Sequence, residues 1–219
     1  MNFFKIIKQK YIFNFGSTKR RFSEIYKTNF WSSNESISGP GSQLSKTETV
    51  RKELPRILNK LEIKSLLDIP CGDFHWMKMI DLSQVMYTGA DIVSDLININ
   101  NKAYKSKNIS FKVLDLIVDD LPKVDAILVR DCFIHLSEKQ IISSIQNIKK
   151  SGIKYLITNN FPEFKNNFDI KTGMFRKVNL TDAPYNLTNP IMEIEEIEHF
   201  SKIDGKKTIV VYKCSDLNL

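Results

Sequence analysis

The sequence predicts an α/β fold: a doubly wound, mostly parallel sheet of seven strands with an antiparallel strand at its C-terminal end. Short apolar runs alternate with amphipathic stretches of helical period, which is the pattern of βαβ units. The last two apolar runs have no crossover helix between them, so we expect them to be antiparallel. The chain has 219 residues, 42% of them hydrophobic, which suffices for one domain with its own core.

The first 45 residues are expected to form an N-terminal segment that covers a ligand site on the main domain, residues 46–219. Residues 1–13 are basic and apolar, but lysines interrupt them too often for a signal peptide or a membrane span. Helical spacing puts Phe3, Ile6, Ile7 and Lys10 on one side, which can pack on the domain or contact a membrane or a partner. Residues 28–45 are polar and turn-rich, as expected of an ordered lid.

The elements of the main domain follow from its hydrophobic periodicity. Residues 47–61 predict a helix, in which Pro55 either kinks the helix or begins it anew. Residues 137–150 predict a second helix with Ser137 as its N-cap. A turn at Asp204 and Gly205 joins the final two strands. Seven strands are predicted, in residues 65–69, 86–91, 110–114, 126–130, 155–158, 191–197 and 208–213.

Charge and cysteine content narrow the possible partners. The net charge of +7 favours an anionic partner, but its lysines are scattered, which is typical of a solvated surface. Cys71, Cys132 and Cys214 lie far apart and form no metal-binding pair, so neither a metal site nor a disulfide framework is predicted. The odd cysteine count and the absence of a signal peptide favour a reducing, cytoplasmic location.

The turn after the first predicted strand has the chemistry of a cofactor site. It lies at the strand's C-terminal end, where doubly wound sheets bind ligands. Gly72 allows close backbone approach, and the carboxylates of Asp68 and Asp73 can accept hydrogen bonds from hydroxyl or ammonium groups. The dinucleotide pattern GxGxxG is absent. Because acidic side chains repel a pyrophosphate but suit a cationic methionyl group, we expect S-adenosylmethionine (SAM) rather than NAD.

Two further acidic strand ends strengthen this prediction. Asp91 follows the second strand at about the spacing of a ribose-binding acid, roughly twenty residues downstream, and can bind both ribose hydroxyls. Asp115 follows the third strand and can accept the adenine amine, while Leu116 covers the ring. Three acidic strand ends in order are a more specific signal than any one of them.

These residues resemble class I SAM-dependent methyltransferases over about residues 47–213, with residues 67–73 as the cofactor turn. A closer likeness is to a bacterial subgroup that combines segments like residues 35–42, 70–76 and 130–137. Its members are associated with sugar and capsule modification, including methylation of a capsular phosphoramidate group. The turn departs from the common family pattern, because it keeps only Gly72 where the family has two or three glycines.

The resemblance implies a Rossmann-like methyltransferase fold that binds SAM and releases S-adenosylhomocysteine (SAH). We expect the cofactor to contact the lid, the cofactor turn and the strand ends. The predicted contacts are Trp31, Gly41, Ser42, Asp68, Cys71, Gly72, Asp73, Asp91, Ile92, Asp115, Leu116 and Arg130.

Asp131 and His135, just beyond the fourth predicted strand, are the candidate catalytic pair. With an ordinary pKa of about 6.5, the His135 imidazole can take a proton from an acceptor hydroxyl, while Asp131 orients the ring or binds the acceptor. Alternatively, His135 caps or packs against the helix that begins near Ser137, and Asp131 fixes the loop. Arg130 pairs either with the SAM carboxylate or with a neighbouring acid.

The acceptor pocket is expected after the fifth strand, with contacts from Asn160, Lys171, Arg176 and Tyr185, and with Lys177 as a further cation. Its basic residues either hold an anionic acceptor or form a solvated loop. The leading interpretation is O-methylation of a small polar or anionic metabolite (a sugar, phosphate or phosphoramidate) in capsule or surface polysaccharide biosynthesis. It requires no nucleic acid. The alternatives are an RNA or protein methyltransferase and a non-catalytic SAM-binding partner subunit.

Overall fold

The computed structural model describes residues 16–196 and 205–218, which build one seven-stranded sheet of order β3-β2-β1-β4-β5-β7-β6. The strands are β1 (Ser65–Asp68), β2 (Met86–Asp91), β3 (Ile109–Val113), β4 (Ala126–Val129), β5 (Tyr155–Asn160), β6 (Met192–Glu195) and β7 (Thr208–Lys213). The first five pair in parallel, whereas β7 is antiparallel to both β5 and β6. The predicted fold class is confirmed.

Within residues 16–196 and 205–218, four α-helices accompany the sheet: α1 (Thr18–Thr28), α2 (Glu48–Lys60), α3 (Ser94–Tyr104) and α4 (Glu138–Ser151). In α2, Pro55 lies inside one continuous helix rather than at a new start. In α4, the predicted N-cap is confirmed, because Ser137 forms a capping box with Gln140. Gly152 ends α4 in the left-handed conformation at φ 76°.

The sequence did not predict α1. The Ser17 side chain caps it by accepting a hydrogen bond from the backbone N–H of Arg20 at 3.3 Å. Ile25 is its one buried residue, so its hydrophobic stripe is short. The helix is held from outside, since Gln140 donates a hydrogen bond to the Thr18 hydroxyl at 2.8 Å.

The central strands are apolar on both faces, which is the property of a parallel sheet covered by helices on each side. In β1, Leu66 packs into one hydrophobic cluster and Leu67 into the other. In β4, Ile127 and Leu128 divide in the same way, and all four β4 residues are buried. Because these strands run parallel, their carboxyl ends meet at one edge of the sheet.

Two sequence predictions lie outside the described residues: the N-terminal helix face with Phe3 and Ile6, and the turn residue Asp204. Among the residues that are described, no helix is both long enough and apolar enough to span a membrane.

Candidate functional site

A cavity of about 510 Å³ opens at the carboxyl ends of β1, β2 and β4, where the strand order reverses. This is the edge at which doubly wound sheets bind ligands, and the volume falls in the roughly 300–1,000 Å³ range of small-molecule sites. Each predicted cofactor residue except Asp73 lines it. The cavity therefore brings together lid residues, the cofactor turn and the three acidic strand ends.

Asp73 was predicted to contact the cofactor, but its carboxylate instead binds the lid, the polar segment of residues 28–45. It accepts hydrogen bonds from the hydroxyl of Ser36 at 2.9 Å, the backbone N–H of Ile37 at 3.0 Å and the hydroxyl of Ser38 at 3.1 Å. The Ser38 oxygen in turn accepts the Asp73 backbone N–H at 2.9 Å. Asp73 thus fixes the lid over the cofactor turn and does not itself line the cavity.

The lid supplies part of the cavity wall. The ring of Trp31 and the short 3₁₀ turn Pro40–Ser42 face the cavity. A second tie holds the lid from outside: the carboxylate of Glu35 lies 2.9 Å from Nε2 of His75 and accepts the backbone N–H of Leu44 at 2.7 Å. Asp73 and His75, both in the turn that follows β1, therefore hold the lid at two points.

Gly72 is the glycine that this turn requires. Its φ is +54°, and a Cβ at this position would lie 2.2 Å from the hydroxyl oxygen of Ser38. The backbone N–H of Gly72 also donates to Asp91 Oδ2 at 3.3 Å. Both the positive φ and the close approach of Ser38 therefore favour glycine at this position.

Replacing Gly72 by Ala is expected to cost more stability than replacing Gly152 by Ala. Both glycines have positive φ, but a Cβ on Gly152 meets nothing within 4 Å. Gly152→Ala therefore measures backbone strain alone, about 1–2 kcal/mol. Gly72→Ala adds the clash with Ser38 and should displace the lid. Thermal unfolding of the two variants tests this, and equal losses of stability would contradict the lid contact.

Asp91 is buried and both of its carboxylate oxygens face backbone donors. Oδ1 accepts the N–H of Val93 at 2.9 Å and Oδ2 accepts the N–H of Gly72. Burial raises the pKa of Asp91 to about 6, although these backbone N–H groups pull it down. Each oxygen keeps a second lone pair, so the carboxylate can accept two further hydrogen bonds from a diol in the cavity.

Asp68 and Asp115 are the other two acidic strand ends. The hydroxyl of Tyr87 donates to Oδ2 of Asp68 at 2.6 Å. Burial raises the pKa of Asp68 to about 7, and this effect outweighs the hydrogen bond from Tyr87. Burial also raises the pKa of Asp115, whose Oδ1 accepts the N–H of Ile117 at 2.9 Å. A cationic ligand group beside Asp68 would favour its ionised form.

A cluster of four charged residues, which we call the ion cluster, forms the wall beside β4: Arg130, Asp131, Glu196 and Lys207. The guanidinium of Arg130 lies 2.8 Å from Asp131 Oδ2 and 3.3 Å from Glu196 Oε1. The ammonium of Lys207 lies 3.0 Å from Asp131 Oδ1 and 2.9 Å from Glu196 Oε2. Arg130 therefore pairs with neighbouring acids and also lines the cavity.

The ion cluster keeps its acids ionised. Burial alone would raise the pKa values of Asp131 and Glu196, but the charges of Arg130 and Lys207 outweigh burial and lower both. The sequence did not indicate Glu196 or Lys207, because neither lies near a recognisable motif. They reach the site through the antiparallel pairing of β6 with β7.

His135 sits in the 3₁₀ turn Phe133–His135 and lines the cavity. Its Nδ1 lies 2.8 Å from the carbonyl oxygen of Met174. A carbonyl only accepts, so Nδ1 carries the proton and Nε2 of the neutral ring has a free lone pair. The ring stacks on Trp31, with centroids 4.7 Å apart. Burial lowers the pKa of His135. The orienting group is therefore Met174, and Asp131 acts on the ring through charge only.

The structure also answers the capping alternative for His135. The first turn of α4 is capped by Ser137 and Gln140, so the imidazole has no capping task. It is half-buried between the lid ring and the loop that carries Met174.

The predicted acceptor contacts are placed differently from expectation: none of Asn160, Lys171, Arg176 and Tyr185 lines the cavity. Asn160 is buried and accepts the N–H of Leu180 at 2.7 Å. Arg176 and Tyr185 are buried and hydrogen-bonded to each other at 3.2 Å, because backbone carbonyls of a neighbouring turn draw the guanidinium inward. Lys171 is exposed.

Other side chains form the end of the cavity next to His135. Phe161, Phe175 and Lys177 line it from the loop after β5, and Phe22 lines it from α1. Phe175 lies 6.0 Å from His135 between ring centroids, yet 60% of its surface stays exposed. This end of the cavity is therefore aromatic and cationic, and it opens to solvent beside Phe175.

Comparison of the sequence with protein-family models and with curated protein sequences gives no match. Solved structures do resemble the fold. The N-methyltransferase NodS from Bradyrhizobium japonicum with bound SAH superposes at a TM-score of 0.62, with 12% identity over 88% of this chain and 98% of that chain. Magnesium protoporphyrin IX methyltransferase from Synechocystis with bound SAH gives 0.58, with 12% identity over 94% and 98%.

Human N-acetylserotonin methyltransferase in complex with SAM gives a TM-score of 0.51, with 10% identity over 93% of this chain and 68% of that chain. At identities this low, the structural similarity establishes a shared fold only. The substrate stays open, since the acceptors named for these neighbours differ widely. The chain has a Rossmann-like methyltransferase fold with antiparallel C-terminal strands.

Proposed function

We propose that the protein is a SAM-dependent methyltransferase that methylates an oxygen of a small polar or anionic acceptor. One observation carries the proposal: acidic side chains for a cationic nucleoside and a neutral histidine with a free Nε2 line the same cavity. A binding protein would need the first group only. The second group supplies a base at the wall of the cavity.

The residues of the cavity fit SAM. Asp91 can accept both ribose hydroxyls, and Asp68 can accept the ammonium group of the methionyl end. Gly72 lines the cavity and would let the backbone approach the ligand. Asp115 and Leu116 line the same cavity and would hold the adenine amine and ring. No side chain of this set favours a pyrophosphate, which the three carboxylates would repel.

The chain's own groups account for the rest of the reaction. Bound SAM supplies an electrophilic methyl carbon on a sulfonium. In transfer, the acceptor oxygen would bond to this carbon as the carbon–sulfur bond breaks, with its electron pair left on sulfur. His135 takes the hydroxyl proton at Nε2, while Met174 holds the proton on Nδ1. Trp31 and the 3₁₀ turn of the lid cover part of the cavity, and alignment of the two reactants supplies much of the rate.

The acceptor class is supported by the charges at the cavity end. Lys177 lines it. The ammonium group of Lys177 favours an acceptor with a phosphate or carboxylate group. Lys207 of the ion cluster already pairs with Asp131 and Glu196. A sugar, phosphate or phosphoramidate of capsule or surface polysaccharide biosynthesis, which the sequence resemblance suggests, meets this requirement and remains our prediction.

Incubation with methyl-labelled SAM tests the activity. Acceptors are offered as three separate pools: phosphorylated or phosphoramidate-bearing sugars, bulk RNA, and proteins. We expect label in the first pool. Label in RNA or protein would replace the proposed acceptor while keeping the methyltransferase activity. Tight SAM binding with no transfer to any pool, and no activity in cell extract, would favour the non-catalytic partner instead.

The affinity for SAH should fall in mild acid. Asp68 in the free protein has a pKa of about 7, so it is ionised at pH 8 and mostly protonated at pH 6. The ligand ammonium binds the ionised form, so each pH unit below 7 should weaken binding about tenfold. Binding titrations from pH 6 to pH 8 measure this. Asp68→Asn should leave only a smaller fall near pH 6 from Asp91, whose pKa is about 6, and a flat wild-type profile would contradict the ammonium assignment.

A further inference from the structure

Arg176 is a buried cation whose hydrogen bonds all go to neutral groups. It is 2% exposed and donates to the carbonyl oxygens of Leu136 at 2.7 Å and Phe133 at 3.4 Å, and to the hydroxyl of Tyr185 at 3.2 Å. Its Nε has no hydrogen-bond partner in the part of the chain that the structure describes. A buried charge held without a carboxylate is costly, so this guanidinium calls for a physical explanation.

The contacts of Arg176 join the two segments that place the His135 ring. One segment is the turn formed by residues 133–136, and the other is the loop of residues 172–176. The backbones already meet, since the N–H of Gly173 donates to the carbonyl of His135 at 2.7 Å and the N–H of Arg176 donates to that of Ile134 at 3.0 Å. The Arg176 side chain adds two more hydrogen bonds to the same turn, from Nη1 to the carbonyl oxygens of Phe133 and Leu136.

This junction sets the tautomer of the ring. Met174 lies within the loop, and its carbonyl reaches His135 Nδ1 only while the loop is held against the turn. Without that acceptor, an imidazole in contact with water prefers its proton on Nε2, the nitrogen that a base must keep free. The position of the loop and the identity of the free nitrogen are thus linked.

Groups on several elements raise or lower the pKa of His135. Burial acts first and lowers its pKa, while the Met174 carbonyl and the charge of Asp131 act to raise it. The positive charge of Arg176 acts to lower the pKa of His135 and so opposes the effect of Asp131. Lys177 lines the same cavity from this loop, and Lys207 pairs with Asp131 from β7.

We propose that Arg176 is a positioning residue for His135: its guanidinium locks the loop 172–176 onto the turn 133–136, so that Met174 binds Nδ1–H and Nε2 stays unprotonated. The use of Nε2 in methyl transfer rests on the proposed function. The tautomer itself does not, because the contacts that set it need no ligand. Arg176 was expected to hold the acceptor, and this task replaces that expectation.

Nitrogen-detected NMR of the histidine rings in the ligand-free protein tests the proposal. The chain has three histidines, so His135→Asn assigns the signals of His135. We expect the wild-type ring to carry its proton on Nδ1. In Arg176→Gln, which removes the charge and most of the side chain's hydrogen bonds, we expect a mixture containing the Nε2–H form and a His135 pKa that rises toward the ordinary value of about 6.5.

Arg176→Lys is the second variant, in case Arg176→Gln does not fold. It keeps the charge, but an ammonium cannot reproduce the planar fork that spans Leu136 and Tyr185. The Nδ1–H form should again lose its dominance. Lys165→Gln is the matched control, an exposed cation in the same region whose removal should leave His135 unchanged.

An unchanged His135 tautomer in either folded Arg176 variant would overturn the proposal. Because the measurement uses no cofactor and no acceptor, its outcome is independent of the methyltransferase assay. The expected tautomer shift in the Arg176 variants, together with no methyl transfer by the wild type to any acceptor pool, would refute the proposed function and leave the role of Arg176 intact.

Discussion

Asp91→Ala is expected to abolish measurable SAM and SAH binding in a protein that remains folded. The carboxylate can accept one hydrogen bond from each ribose hydroxyl, and a bond to a charged group contributes about 1.5–3 kcal/mol. Loss of two such bonds corresponds to roughly 10²- to 10⁴-fold weaker binding. Equilibrium titration with SAH measures this directly, and thermal unfolding shows that the variant is folded.

Asp95→Ala is the matched control for this change. Asp95 lies four residues downstream, is exposed, and pairs with Lys27 only across the surface at 3.8 Å. Its removal should leave the affinity unaltered. Because Asp91 also accepts backbone N–H groups of the turn, Asp91→Asn, which keeps the volume and one acceptor oxygen, separates loss of the ribose contact from distortion of the turn. Wild-type affinity in both Asp91→Ala and Asp91→Asn would show that the nucleoside binds elsewhere.

His135→Asn is expected to lower kcat by about 10²- to 10⁴-fold, the usual contribution of a general base. The asparagine amide can still donate to the Met174 carbonyl, so the local contact is kept while the basic nitrogen is lost. SAH affinity should change little, because the cofactor contacts lie on Asp68 and Asp91. A labelled-methyl assay at saturating SAM, once an acceptor is found, gives kcat.

The wild-type pH profile provides a second check on His135. A base must be neutral to act, and burial lowers the pKa of His135 below its ordinary 6.5. At saturating SAM, kcat should therefore stay level down to about pH 6.5 and fall only below it. The His135→Asn profile should lack this acid limb. Undiminished kcat in the variant would remove His135 from the mechanism.

The strand ends were predictable from sequence because two independent signals coincide there. Strand periodicity gave the positions at which β1, β2 and β3 end, and an acid stands at or just after each end. Asp68, Asp91 and Asp115 accordingly all line the cavity. Such a site needs only local sequence information together with the rule that parallel strands present their carboxyl ends at one edge.

The hydrogen bonds between residues far apart in the sequence could not be predicted from local sequence information. Asp73 meets Ser36 across 37 positions, and Arg130 meets Glu196 across 66. Each partner is an ordinary polar residue in its own segment, so only the folded chain reveals the pair. Arg176 shows the same limit, because a cation in a polar loop is expected at the surface unless carbonyl acceptors draw it inward.

Calorimetric titration of the wild-type protein with SAH at pH 8 is the most direct test of the cavity's function. The geometry predicts saturable binding with one SAH per chain, weakened about tenfold at pH 6 through Asp68 and lost in Asp91→Ala. Such a result would justify the search for the acceptor. No binding at pH 8 by a folded protein would contradict the proposed cofactor and, with it, the methyltransferase activity.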